Sequence, residues 1–314
     1  MTRHPGIFGN LQNRAAPCEN LRMGMGRFAA FIRMLRVHQW LKNAVLLVPL
    51  VLSHSLGNKA AVSDAIVAFF LFSLVASAAY IINDIVDLAA DRAHPTKRKR
   101  ALASGDIPVN AGIFTAVCLV VAGIGGGLWL SFPFALSVAV YLIVSLLYSL
   151  WLKRVAPLDV VVIGCLFTAR IVAGTLVIAV PLSPWLISFS LFFFTALALA
   201  KRHSELMQHN GNDGARRGYR AGDWPLTLNF GVGLTVGALV IMLLYVRLEA
   251  AQSGLYSRPL WLLATPVIVL AWAMYLWMKS HRGTLHDDPV VFAIQDPWSW
   301  LSAALIAGSM ALAL

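Results

Sequence analysis

Charge is scarce in this chain. Asp, Glu, Lys and Arg make up 12% of its 314 residues, against roughly a quarter in soluble domains. With 59% hydrophobic residues and a mean hydropathy of +0.74, that excludes an ordinary soluble domain. Cysteine is scarce too. Cys18, Cys118 and Cys165 have neither disulfide nor zinc spacing, which excludes a cystine-stapled or zinc-built fold. Acids are fewer than bases, 14 against 25, giving a net charge of +11. Such an excess would suit nucleic acid, but its placement argues for a membrane. The first forty residues lack the apolar stretch of a cleavable signal peptide, and 1–30 read as a disordered basic leader.

Long apolar runs are what the chain has. Segments near the ~20 residues that cross a bilayer lie at about 43–57, 64–82, 110–130, 132–150, 159–180, 183–200, 226–246, 259–278 and 298–314. The expected fold is all-α, a polytopic membrane protein with a nine-transmembrane-helix bundle. With the N-terminus cytoplasmic, every Lys and Arg falls on that side except Lys59, Arg247, Arg258 and the mid-span Arg170. This positive-inside asymmetry puts the C-terminus outside. The long charged loops 83–109, 201–224 and 279–297 then share the cytoplasmic face, and function is expected in them. The partners implied are a lipid bilayer and an anionic substrate, with no nucleic acid; a homo-oligomer stays open.

The first of these loops opens Asn83-Asp84-Ile85-Val86-Asp87-Leu88-Ala89-Ala90-Asp91. On a continuous helix Asp84, Asp87 and Asp91 share one face. Three adjacent carboxylates beside a bilayer repel one another and are poorly solvated. A divalent cation relieves both costs, and oxygen-only ligands favour Mg²⁺, which shares its sphere with substrate phosphates. The three aspartates are therefore the expected metal ligands and catalytic residues; a solvated acidic helix end is the competing reading.

The run His94-Pro95-Thr96-Lys97-Arg98-Lys99-Arg100 follows. Such runs serve as topology signals or lipid contacts, but beside the acids Lys97 and Arg98 also suit diphosphate oxygens. Lys42, in Gln39-Trp40-Leu41-Lys42-Asn43, fits either a phosphate site or a snorkelling interfacial cation. Tyr148, Lys153 and Asp159 fall at the depth of the acidic motif. Arg170 lies about 16 Å further along its helix, near the bilayer centre, where a charge needs a partner or a polar cavity. Its companion is expected from another span or from substrate. Arg170→Leu is expected to fold at least as well as the native chain while losing activity. Lys201-Arg202-His203-Ser204-Glu205 closes the sixth span, followed by Arg216, Arg217 and Tyr219; the third loop carries His286-Asp287-Asp288.

Together these residues resemble the UbiA-type superfamily of intramembrane prenyltransferases over roughly residues 30–314, read as one transmembrane domain, 31–314. The superfamily pattern Asn-Asp-x-x-Asp-x-x-x-Asp matches Asn83, Asp84, Asp87 and Asp91 position for position, and a Tyr-to-Lys element after the fourth helix matches Tyr148 and Lys153. The resemblance implies a nine-helix bundle, Mg²⁺–diphosphate chemistry and a lateral opening to lipid. One departure is informative. The second aspartate-rich motif, expected after the sixth helix, is replaced by Lys201-Arg202-x-x-Glu205.

That substitution, with Gln39–Asn43, His94–Arg98 and Tyr219, is similar to the decaprenyl-phosphate phosphoribosyltransferase-like branch. The branch implies transfer of 5-phosphoribose from phosphoribosyl pyrophosphate to a polyprenyl phosphate at the inner (cytoplasmic) membrane. Pyrophosphate is released, and the product is an arabinan precursor for cell wall biogenesis. Asp84, Asp87 and Asp91 would hold Mg²⁺, Lys201 and Arg202 the 5-phosphate, and Glu205 a ribose hydroxyl or second ion. Lys42, Asn83, Lys97, Arg98, Tyr148, Lys153, Asp159, Arg170 and Tyr219 would complete the substrate site. The alternatives are a prenyltransferase with a prenyl diphosphate donor and an aromatic or other acceptor, and a non-catalytic transporter of an anionic substrate.

Overall fold

In lipid the backbone must satisfy its own polar groups, so apolar runs of this length fold as helices. A computed structural model describes residues 28–208, 218–252, 254–285 and 289–314. The leader expected at 1–30 lies outside the described residues up to position 27, and its last residues open a helix over 28–35. Arg216, Arg217, His286, Asp287 and Asp288 lie outside them as well.

The chain is all-α. Its main helices are α1 (Lys59–Val86), α2 (Val109–Leu130), α3 (Phe132–Leu150), α4 (Leu158–Val177), α5 (Pro184–Gln208), α6 (Trp224–Tyr245), α7 (Ala264–His281), α8 (Pro289–Gln295) and α9 (Pro297–Ala313). Among the described residues, seven stretches are long and apolar enough to cross a membrane, or eight if α8 and α9, bent by 81°, count as one. The run expected at 43–57 is helical but not one straight rod. Val37–Leu47 winds as a 3-10 helix, and Val48–Leu52 adds little more than one α turn. Pro49 has no N–H to give that turn, and Arg36 and His54, on either side, take left-handed backbone with φ of 51° and 52°. A continuous α ladder cannot run through such positions.

Helices that follow one another pack together whether the connection is short or long: α4 packs on α3 and α5 across short connections, and α1 on α2, α5 on α6 and α7 on α9 across the long charged loops. The leading segment Val37–Leu52 lies against α1 and α4. Gly174 on α4 makes that approach possible, since a Cβ there would come within 1.9 Å of the Leu46 carbonyl oxygen. Leu46, Phe72, Phe134, Val138 and Tyr141 form one buried core, and Val160, Leu199, Leu276 and Trp277 another. Large side chains such as Phe114, Trp129 and Phe230 face outward, as on a surface built to meet something apolar.

Arg170 fastens the leading segment to the bundle. Only 4% exposed, it donates from Nε to Asn43 Oδ1 at 2.9 Å, from Nη1 to the Leu166 carbonyl at 2.6 Å and from Nη2 to Tyr141 OH at 3.1 Å. Its guanidinium also lies 4.9–5.6 Å from the ring centres of Phe72, Tyr141 and Phe167. Asn43 in turn donates to Ser73 Oγ. Three neutral acceptors and three aromatic faces thus solvate the cation. This reverses the expectation for Arg170→Leu. Leucine would strand the Asn43 oxygen in the core, at about 1–3 kcal/mol, and take a charged donor from the Tyr141 hydroxyl. The variant should melt well below the native chain in detergent, read by tryptophan fluorescence; a melting point at or above native would mean the network is dispensable.

Candidate active site

Asn83 and Asp84 stand on the last turn of α1, which stops at Val86. Asp87 takes φ −88° and ψ 7°, and a separate short helix, Leu88–Ala93, carries Asp91. Three aspartates share one helix face only on an unbroken helix, and here the helix is interrupted at Asp87. The structure instead pairs Asp84 with Asp91 and sends Asp87 elsewhere. Arg100 Nη1 lies 3.0 Å from Asp84 Oδ1 and 2.5 Å from Asp91 Oδ2, bridging the two. Arg36 Nη2 reaches the same Asp84 oxygen at 2.5 Å. Asp87 accepts from Lys153 Nζ at 2.7 and 3.0 Å, and Lys153 also reaches Asn83 Oδ1 at 3.3 Å.

Asp91 is 2% exposed, so its charge would be untenable without such a partner. Arg36 holds its left-handed backbone, which costs a side-chain-bearing residue roughly 1–2 kcal/mol, with its guanidinium 5.1 Å from the Tyr80 ring centre. Strain of this kind tends to persist where function needs the side chain in place.

Beside Asp84 opens a cavity of about 390 Å³, lined by Arg33, Arg36, His38, Lys97, Lys99 and Arg100 among others. Burial, then the Arg36 and Lys42 cations, lower the His38 imidazole below its usual value, so it lines the cavity as a neutral hydrogen-bonding group near neutral pH. Arg98 stands exposed on the same turn and is not among the lining residues.

The donor set suits Mg²⁺ in part. Among the described residues no three His, Cys, Asp or Glu side chains are grouped to hold a metal ion by themselves. Two carboxylates that converge on one cationic nitrogen are nevertheless a fitting pair for an ion that keeps its remaining positions for water and phosphate. The Arg100 guanidinium stands where such a cation would go.

A second group forms where α4 begins and α5 ends. Asp159, 0% exposed, accepts from Arg202 Nε at 2.9 Å and from Tyr219 OH at 2.7 Å. Arg202, 4% exposed, also reaches Glu205 Oε2 at 2.7 Å. Burial, with the hydrogen bond to Asp159, raises the Tyr219 phenol far above its ordinary range and keeps it a donor. Tyr148 lies within electrostatic reach of both Arg202 and Tyr219, and Lys201 sits half-buried one residue before Arg202. His203 Nε2 meets His281 Nδ1 at 3.1 Å, and Ser204 donates to the Leu285 carbonyl, which ties α5 to the end of α7.

Asn83, Asp84, Asp87, Asp91, Lys97 and Lys153 therefore gather in one place, with Asp87 on the Lys153 side, and Tyr148, Asp159, Arg202, Glu205 and Tyr219 in another. Arg170 belongs to neither, and Lys42, half-buried, lies within electrostatic reach of Tyr141 beside it. Sequence reasoning did not single out Arg33, Arg36 or His38 as lining residues, and within the run Lys97–Arg100 it favoured Lys97 and Arg98 over Lys99 and Arg100. Each lies in or beside a polar run that was visible, but composition cannot say which of several neighbouring cations turns inward.

The profile of the UbiA prenyltransferase family matches residues 46–294. A Sinorhizobium fredii protein named y4nM is 49% identical over 89% of this chain and 55% of its own length. Nodulation protein NoeC of Azorhizobium caulinodans is 32% identical, covering 86% of this chain and 88% of its own. Decaprenyl-phosphate phosphoribosyltransferase of Mycolicibacterium smegmatis is 36% identical over 62% of this chain and 61% of its own. The chain thus spans about half the length of the first relative and about three fifths of the third. Among solved structures, a UbiA homolog from Archaeoglobus fulgidus bound to DMAPP and Mg²⁺ superposes with a TM-score of 0.67 at 16% identity, over 90% of this chain and 98% of that one. At that identity the likeness concerns the fold.

Proposed function

The chain belongs to the UbiA prenyltransferase family, and we propose that it transfers 5-phosphoribose from phosphoribosyl pyrophosphate to a polyprenyl phosphate, releasing pyrophosphate. The reaction is placed at the cytoplasmic face of the inner membrane, in keeping with the positive-inside asymmetry. One observation carries the reading: the cavity beside Asp84 is lined by five Lys and Arg side chains, which favours a donor richer in phosphate than a prenyl diphosphate. At the end of α5, where the superfamily's second acidic motif belongs, Arg202 is taken up by Asp159 and Glu205 and adds no phosphate contact of its own. The 36% identity to the mycobacterial phosphoribosyltransferase supports the same choice.

Asp84 and Asp91 would hold Mg²⁺, which when bound neutralises the charge developing on the leaving pyrophosphate. Lys97, Lys99 and Arg36 line the space where the diphosphate would lie and supply charge-assisted donors to its oxygens. Lys153 fixes Asn83 and Asp87 at the mouth. An oxygen of the acceptor phosphate attacks C1 of the ribose as the bond to pyrophosphate breaks. That oxygen is already anionic near pH 7, so no general base is required, and none of the gathered residues need act as one. Lys201 remains the candidate for the 5-phosphate; Arg202 is committed to Asp159 and Glu205 and acts by holding α5 against α4.

Purified protein in detergent, given labelled phosphoribosyl pyrophosphate, a polyprenyl phosphate and Mg²⁺, should move label into the lipid extract and stop in EDTA. Prenyl transfer from a prenyl diphosphate to an aromatic acceptor, without use of phosphoribosyl pyrophosphate, would replace this reading with the alternative one.

A further inference from the structure

Arg100 occupies an unusual position: one nitrogen of its guanidinium sits between the two carboxylates best placed to share a cation. A guanidinium and a metal ion cannot both stand there. The backbone that carries Arg100 is held by the following residues, Ala101 and Leu102, which are buried against the α1–α2 core, so only the side chain is able to yield. It has somewhere to go. Arg100 and Arg36 are 26% and 19% exposed at the side chain, and both line the cavity beside Asp84.

We propose that Arg100, assisted by Arg36, is a resident counter-ion of Asp84 and Asp91 that gives way to a metal-bound diphosphate and then binds the oxygens of that diphosphate. The inference deepens the phosphoribosyl reading and rests on it for the metal. Charge bookkeeping motivates it. A divalent cation arriving alone must expel guanidinium groups that then have no anion to face. Arriving with a diphosphate, it supplies the displaced cations with new partners a few ångströms away. Metal and anion should therefore bind with positive coupling, and linkage makes that coupling mutual. Removing Arg100 should split the two effects. The carboxylates, no longer pre-neutralised, become a better site for a bare cation, while the anion loses a donor.

The experiment uses the full chain in detergent and needs no turnover. Mn²⁺ binding is followed by loss of its free-ion paramagnetic signal, and labelled pyrophosphate binding by equilibrium dialysis at saturating Mn²⁺. Arg100→Gln should bind Mn²⁺ alone about tenfold more tightly than the native chain and pyrophosphate about tenfold more weakly, the size of one charge-assisted contact. Arg100→Lys should stay near native for both. Tryptophan-fluorescence melting checks that the variants are folded. If Arg100→Gln is not, Arg36→Gln should show smaller shifts in the same two directions. Unchanged or weaker Mn²⁺ binding by a folded Arg100→Gln would overturn the exchange and leave the phosphoribosyl reading standing. Failure of native and variant alike to bind Mn²⁺, with or without pyrophosphate, would remove the metal site from that reading and the exchange with it.

Discussion

Asp84→Asn should lower transfer of label from phosphoribosyl pyrophosphate to lipid by at least about a hundredfold in kcat, because the Mg²⁺ that would stabilise the charge developing on pyrophosphate loses a ligand. The fold should survive. Asparagine keeps the shape and an oxygen for Arg36, and the guanidinium groups of Arg36 and Arg100 are exposed enough to be rehydrated. Asp91→Asn should be as damaging to activity, because its carboxylate converges with that of Asp84 on one nitrogen. Asp87→Asn should be milder, about tenfold, since Asp87 faces Lys153 and serves to orient it. The comparison among the three variants is the test. Equal losses from all three would mean that the carboxylates regroup around one ion when substrate binds, against the division seen here.

The largest stability effect is expected from Arg202→Leu. Asp159 is fully buried, and Arg202 is its only cationic contact at hydrogen-bond distance among the described ion pairs. Taking Arg202 away leaves a buried carboxylate that keeps the Tyr219 hydroxyl but loses its cation, and breaking a buried pair in this way costs roughly 3–5 kcal/mol. Replacing both partners by apolar residues is a different matter, because the desolvation penalty disappears along with the attraction. Thermal melts in detergent should therefore show Arg202→Leu strongly destabilised and the Arg202→Leu/Asp159→Leu double variant recovering most of the loss. A double variant as unstable as the single one would show that Arg202 is held by packing rather than by charge. For the same reason the donor 5-phosphate is better tested at Lys201, where Lys201→Gln leaves Arg202, Asp159 and Tyr219 in place.

The membrane character and the all-helical fold were decided by sequence alone. A lipid-spanning backbone has to be helical, and twenty apolar residues mark each crossing, so composition and run length suffice. The acidic motif was equally legible, because Asn83, Asp84, Asp87 and Asp91 need only be read in order. What the sequence could not decide was which charge faces which. Helical spacing put three aspartates on one face, but the backbone breaks at Asp87, and a pattern that assumes a continuous helix cannot foresee its own interruption. The basic residues pose the same problem: Lys97, Arg98, Lys99 and Arg100 read alike, yet Arg100 alone of the four bridges Asp84 and Asp91 while Arg98 does not line the cavity. Arg170 calls for a companion from another span or from substrate, and only the closed fold shows that Asn43 and Tyr141, 127 and 29 residues distant in the chain, supply it. Arg202 looked like a phosphate ligand until Asp159 was found beneath it. Periodicity is local and charge pairing is not, so the partners of a buried ion are fixed only when distant helices close around it.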